Sequence, residues 1–226
     1  YVTENERENN DLNRDKAFAA FIATQERLCS HNQRKHSTFV VLQRARQLIK
    51  QWLGPYVKEE HEYFSRFGKR AAVGLPYRKS YLDNRVTTLT GSLDHVEWFE
   101  NEIIPKDDLL RRCCTKPSVI IDHLTLSDVP KAWDKRRTIL KNSVLGGFHS
   151  AGLGDYMVYL LKTRPIIRKG NKFTGLNLSR IAEKHRVWIK KYSRCLDHVT
   201  ADLSAASDSF TWSLMCKLFP RDWLCA

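Results

Sequence analysis

Apolar residues recur at helical spacing through the first half of the chain. Between 15 and 29 the set Phe18, Phe21, Ile22 and Leu28 follows a 3.6-residue period, and between 37 and 52 Val41, Ala45, Leu48, Ile49 and Trp52 do the same. Ser37 is placed to cap the second helix, and Gly54-Pro55 stops it. A third helix is predicted over 55–67 and another over 92–103, ahead of Pro105. The stretch 68–90 carries Gly74, Pro76 and Asn84 among basic residues and reads as an irregular loop.

The pattern changes after Lys116. Residues 118–126 are rich in β-branched side chains and predict a strand, as do 137–141, with a basic loop from Val129 between them. Helices are predicted over 144–162 and 177–192, then a short strand from 197 that ends at Asp202, then a helix over 207–219 that stops before Pro220. The fold class expected is α+β.

With 226 residues and 42% apolar content the chain can bury a sizeable core. No run of eighteen apolar residues occurs and the first ten residues are too polar for a signal peptide, so no membrane contact and a cytosolic setting are expected. The first residue is Tyr and the last two are Cys225-Ala226, which suggests a piece of a longer reading frame. Six cysteines lack the rhythm of a disulfide framework. The one close pair, Cys113-Cys114, does not readily share a tetrahedral zinc ion, so reduced thiols are expected.

Charge adds more. The net +13 falls entirely in residues 131–195, where 16 basic residues face 3 acidic ones, while the other residues carry 22 of each sign. Such a window suits a polyanion, and its aromatics Trp133, Phe148, Tyr156, Tyr159, Phe173, Trp188 and Tyr192 could stack on bases or fill a core. A solvated basic face with ordinary core aromatics fits the composition equally well.

Two segments carry candidate chemistry. In Thr200-Ala-Asp202-Leu-Ser-Ala-Ala-Ser-Asp208 a strand end delivers one carboxylate and a tight turn a second, six residues on. Phosphoryl transfer assisted by two Mg²⁺ ions requires oxygen ligands held this rigidly, although Ser207 and Asp208 could equally cap the following helix. In Val129-Pro-Lys131-Ala-Trp-Asp-Lys135-Arg136-Arg137-Thr-Ile139, four cations within seven positions suit a triphosphate; a solvated charge run is the plainer alternative.

Together these segments resemble two motifs of the RNA-directed RNA polymerases, or replicases, of positive-strand RNA phages. The run Asp-Leu-Ser-Ala-Ala-Ser-Asp-Ser with Leu-Phe-Pro-Arg-Asp-Trp after its helix is similar to their motif A, and Val-Pro-Lys to Arg-Thr-Ile (129–139) to their motif F. The likeness runs from about residue 116 to 223. It implies a right-hand polymerase, with 1–195 as fingers (116–195 the basic part) and 196–226 as the start of the palm. By the same resemblance Asp202 binds both Mg²⁺ ions, Asp208 lies near the ribose 2′-hydroxyl, and Lys131 and Arg137 hold the triphosphate with Lys135 and Arg136 close by. Implied partners are RNA template and product, ribonucleoside triphosphates and, as in the best-known relatives, host translation factors, all in the host cell cytoplasm. The chain departs from the pattern in having Asp134 where many relatives have Lys, and Ser179-Arg180 where an Asp-Gln pair is common. The relatives' segment that grips the template and their Gly-Asp-Asp turn are absent from these 226 residues, so no activity is expected of the chain alone. Two rivals are a noncatalytic basic RNA-binding module, which would not need Asp202 and Asp208, and a reverse-transcriptase-like palm enzyme. The latter usually has a bulky apolar residue near the 2′-hydroxyl, where Asp208 would stand.

Overall fold

The computed structural model describes residues 4–32, 39–68, 71–79, 81–132, 135–169, 172–193 and 210–226. It is a mixed helix and strand structure, broadly α+β, and falls into two compact units whose sequences interleave. One comprises 1–25 and 59–155, the other 26–58 and 156–226. The expected boundary at 195/196 lies in a stretch, 194–209, outside the described residues.

In the first unit, helix α1 (Glu4–Asn32, its last turns in the second unit) is longer than the predicted 15–29. The predicted helix 55–67 contracts to α3 (Lys58–Phe64). The supposed loop 68–90 holds a helix, α4 (Leu82–Thr87), and a two-residue strand, β1 (Thr90–Gly91). The predicted helix 92–103 begins as α5 (Leu93–Trp98) and widens to π-type turns over Phe99–Ile103; α6 (Asp108–Cys113), which was not expected, follows. Asp107 caps α6, its carboxylate accepting from the Leu109 and Leu110 amides at 2.8 and 3.1 Å.

The predicted strand 118–126 is two strands. Only β2 (Val119–Ile120) pairs with β1, in parallel, and β3 (Thr125–Ala132) forms an antiparallel hairpin with β4 (Lys135–Lys141). The presumed basic loop is therefore mostly paired backbone. Residues 121–124 separate β2 from β3, and Asp122, His123 and Leu124 among them are exposed.

Helix α7 (Val144–Thr163) begins in the core of this unit. Its first turn is held by two buried hydroxyls: Thr90 Oγ1 accepts from the Val144 amide at 3.0 Å and Ser143 Oγ from the Gly146 amide at 3.1 Å. Gly91 lets α7 approach β1 closely: a Cβ there would lie 3.1 Å from Leu145 Cβ, and a neighbour would have to shift by a few tenths of an ångström. Phe99, Val144, Leu145 and Phe148 form the centre of the core with Leu75, Leu89, Val96 and Ile103.

In the second unit α2 (Phe39–Leu53) nearly matches its predicted span, and its supposed cap Ser37 lies outside the described residues. Gly54, at φ +65°, ends α2 as glycine readily does. Strands β5 (Ile167–Lys169) and β6 (Lys172–Thr174) form a hairpin that was not foreseen, followed by α8 (Leu178–Tyr192), capped by the Asn177 side chain. Near the end of the chain, α9 (Trp212–Leu218) starts from a Thr211 cap, later than the predicted 207, and α10 (Arg221–Leu224) follows. Trp223 is buried, stacks on Tyr156 at 5.3 Å and donates from Nε1 to the Gly54 carbonyl at 2.9 Å; the Tyr56 amide donates to Asp222 at 2.8 Å.

Candidate phosphate and RNA interface

The basic segment 129–139 is carried on the β3–β4 hairpin. Register pairs Val129 with Arg137, Pro130 with Arg136 and Asp128 with Thr138, and a bulge falls between Pro130 and Ala132. Because successive strand residues face opposite sides, Arg136 and Arg137 point away from one another. Arg137 is exposed on the side of Ser127, Val129 and Ile139. Arg136 shares the other side with Asp128 and Thr138, and its Nε donates to the Asp128 carboxylate in a half-buried ion pair. Lys131 stands at the bulge and Lys135 pairs across from Ala132, both at the hairpin's tip. The hairpin thus brings all four predicted cations into one element but divides its two arginines between opposite faces.

Sequence reasoning missed Asp128. Its signal was the strand register: with Asp128 opposite Thr138 and Pro130 opposite Arg136, the carboxylate falls diagonally across the pair from Arg136.

Helix α8, in the second unit, is the other basic surface. Arg180, Lys184, Arg186, Lys190 and Lys191 are all exposed, and Arg186 is drawn toward an acid, Glu183, at 3.2 Å. Leu178, Ile181, His185, Trp188, Ile189 and Tyr192 repeat at helical spacing on the side away from Arg180, Lys184 and Lys191. Trp188 is 57% exposed. The side chains of the candidate stacking aromatics Trp133 and Phe173 lie outside the described residues, and the other five differ in exposure. Phe148 and Tyr156 are core residues, whereas Tyr159 and Trp188 reach solvent; Tyr192 lies beneath the Lys191 ammonium, 5.1 Å from its ring centroid.

Asp202 and Asp208 lie outside the described residues. Among the described residues no group of three or more His, Cys, Asp or Glu side chains converges as a metal site.

Three histidines that carried no sequence signal meet in the first unit. His61 Nε2 donates to the His149 carbonyl at 3.0 Å; the His149 ring lies 4.5 Å from that of His61, 5.2 Å from His95 and 5.0 Å from Trp98. Burial lowers the basicity of all three, and the two neighbouring imidazoles push His149 down further, to about 4.

Compared with models of known protein families and with curated proteins, the chain matches none. Among the described residues no helix is long and apolar enough to cross a membrane.

Proposed function

We propose that the chain is the fingers and early palm part of a viral RNA-directed RNA polymerase of the phage replicase type, which transfers ribonucleotides onto RNA copied from an RNA template. The observation that carries this reading is the ordered pair of sequence segments: the Val-Pro-Lys to Arg-Thr-Ile segment, then Asp202 and Asp208 six residues apart. The paired backbone of 125–141 is compatible with it, because a rigid two-stranded element holds cations at fixed spacing better than a solvated run does.

In this reading Arg137 and the lysines at the hairpin's tip receive the triphosphate, Asp208 accepts a hydrogen bond from the ribose 2′-hydroxyl, and Asp202 supplies one metal ligand. Two Mg²⁺ ions in a complete site would neutralise charge on the attacking and leaving oxygens. These residues contain no Gly-Asp-Asp, so the chain alone is expected to incorporate no nucleotide.

Photo-crosslinking with the γ-phosphate azidoanilide of ATP, mapped by mass spectrometry, tests the reading. Label is expected on peptides from 125–141, competed by each of the four ribonucleoside triphosphates. Label confined elsewhere, or insensitive to competitors, would overturn it. The exposed cations and Trp188 of α8 favour a second reading, a noncatalytic RNA-binding module, which predicts RNA binding with no nucleotide-specific label on the hairpin.

A further inference from the structure

The Arg136–Asp128 pair gives one face of the hairpin a property that its charge count does not suggest. Arg136 and Asp128 are related by a diagonal step across the two strands, so register alone holds them together. Both side chains are largely withdrawn from water, at 23% and 16% exposure. A carboxylate and a phosphate present oxygens to a guanidinium in the same way, and the Nε–H that donates to Asp128 cannot serve a phosphate oxygen at full strength at the same time. The Thr138 hydroxyl, directly opposite Asp128 on this face, is buried with no hydrogen-bond partner among the described residues. Buried hydroxyls are normally satisfied, and this one lies on the same face as the ion pair with its hydrogen-bonding capacity unused.

We propose that Asp128 is a built-in competitor for phosphate: it occupies Arg136 until a phosphate group displaces it, and so sets the affinity of this face of the hairpin. The inference rests on reading the hairpin as a phosphate-binding element. It divides the arginines by role. Arg137, exposed on the opposite face, meets polyanions without competition and supplies the first attraction. Arg136 engages only a phosphate able to replace a carboxylate already in place. The competitor thereby discriminates against weak, singly charged anions and in favour of a polyphosphate or an RNA backbone.

The test is a double-mutant cycle read by binding, with inorganic triphosphate and a twelve-nucleotide single-stranded RNA as separate probes. Asp128→Asn is expected to raise affinity about fivefold for whichever probe uses this face, the scale of a partly exposed ion pair. The gain must vanish in Asp128→Asn with Arg136→Ala, and Asp128→Glu, which keeps the competing charge, must bind close to the parent. A gain with triphosphate alone assigns the face to free nucleotide; a gain with RNA alone assigns it to the strand. Should Asp128→Asn lose its cooperative melting transition, Asp128→Ser makes the same comparison. Two results overturn the proposal: unchanged or weaker binding in a folded Asp128 variant, or a gain that survives removal of Arg136, which would mark a general charge effect. If affinity rises as expected but the γ-phosphate azidoanilide of ATP leaves the hairpin unlabelled, the competitor stands and the polymerase reading falls. If the hairpin is labelled but Asp128 variants bind as the parent does, the reverse holds.

Discussion

His149 is surrounded by groups of both signs, and their balance determines how it responds to acid. His61 comes from α3 and His95 from α5. Trp98 Nε1 donates to Glu62, which also receives the Lys106 ammonium at 2.7 Å. Asp94 favours protonation of His95 and Glu62 that of His61, yet burial outweighs both, and His149, which faces two imidazoles, is pushed down the most. A histidine whose folded pKa lies below the unfolded 6.5 is bound by fewer protons when folded. Its contribution is therefore fully present above about pH 6.5 and is lost as pH falls toward about 4. The melting temperature should drop on the order of 5 °C more between pH 7 and pH 4.5 in the parent than in His149→Phe, which keeps an aromatic ring beside Trp98 and removes the titrating group. Equal slopes in scanning calorimetry at constant ionic strength would show that His149 binds its proton as readily in the folded protein as in the unfolded chain.

Elements differ in how far they were legible. Helices α2, α7 and α8 were readable because each has several turns of unbroken apolar spacing and a recognisable stop or cap, as at Gly54 and Asn177. The short strands were not. β1 is two residues long and exists because Leu89 and Gly91 carbonyls accept from Val119 and Ile121 amides, a pairing that depends on contacts thirty residues away in sequence. The hairpin's basic segment looked like a loop because charge hides strand alternation. Arg136 is accommodated within the strand by Asp128, a partner that can be identified only once the strand register is known. The candidate site was legible as a set of residue types at a spacing, but not as faces. α10 shows the same dependence on distant contacts: four residues are held by Trp223, which stacks on Tyr156 while Tyr56 meets both rings edge-on at 5.4 and 6.4 Å. Trp223→Ala should remove that packing and the bond to the Gly54 carbonyl together, at a cost of roughly 3–5 kcal/mol. Trp223→Phe should recover about half by restoring the ring without the donor. Urea titration followed by circular dichroism measures both, and a loss under 1 kcal/mol in Trp223→Ala would mean that the end of the chain is not anchored there.

At the scale of the whole molecule the feature that most constrains function is the confinement of the net +13 to residues 131–195. That stretch supplies two described surfaces, the β3–β4 hairpin and α8, and both keep cations in water: Arg137 on the hairpin, and Arg180, Lys184, Lys190 and Lys191 on the helix. Cations that release counterions from a nucleic acid give binding a salt slope of roughly −0.7 per phosphate contact for single strands. With about four to six contacts, affinity for a single-stranded RNA should fall about 50- to 350-fold between 50 and 200 mM salt. Replacing Arg180, Lys184 and Lys191 together by Gln should weaken binding and flatten that slope by about two units, since these three share one side of α8 and are exposed. Trp188→Ala separates stacking from charge. If a base lies on the exposed ring, affinity falls by roughly 1–3 kcal/mol with the slope unchanged. Asp202→Asn should leave affinity unchanged or raise it slightly, because on this account the carboxylate serves a metal and not the RNA backbone. Fluorescence anisotropy with a labelled oligonucleotide reads all four proteins on one axis. Binding that ignores salt in the parent, or a larger loss in Asp202→Asn than in the triple variant, would mean that the basic third of the chain is not the surface RNA meets.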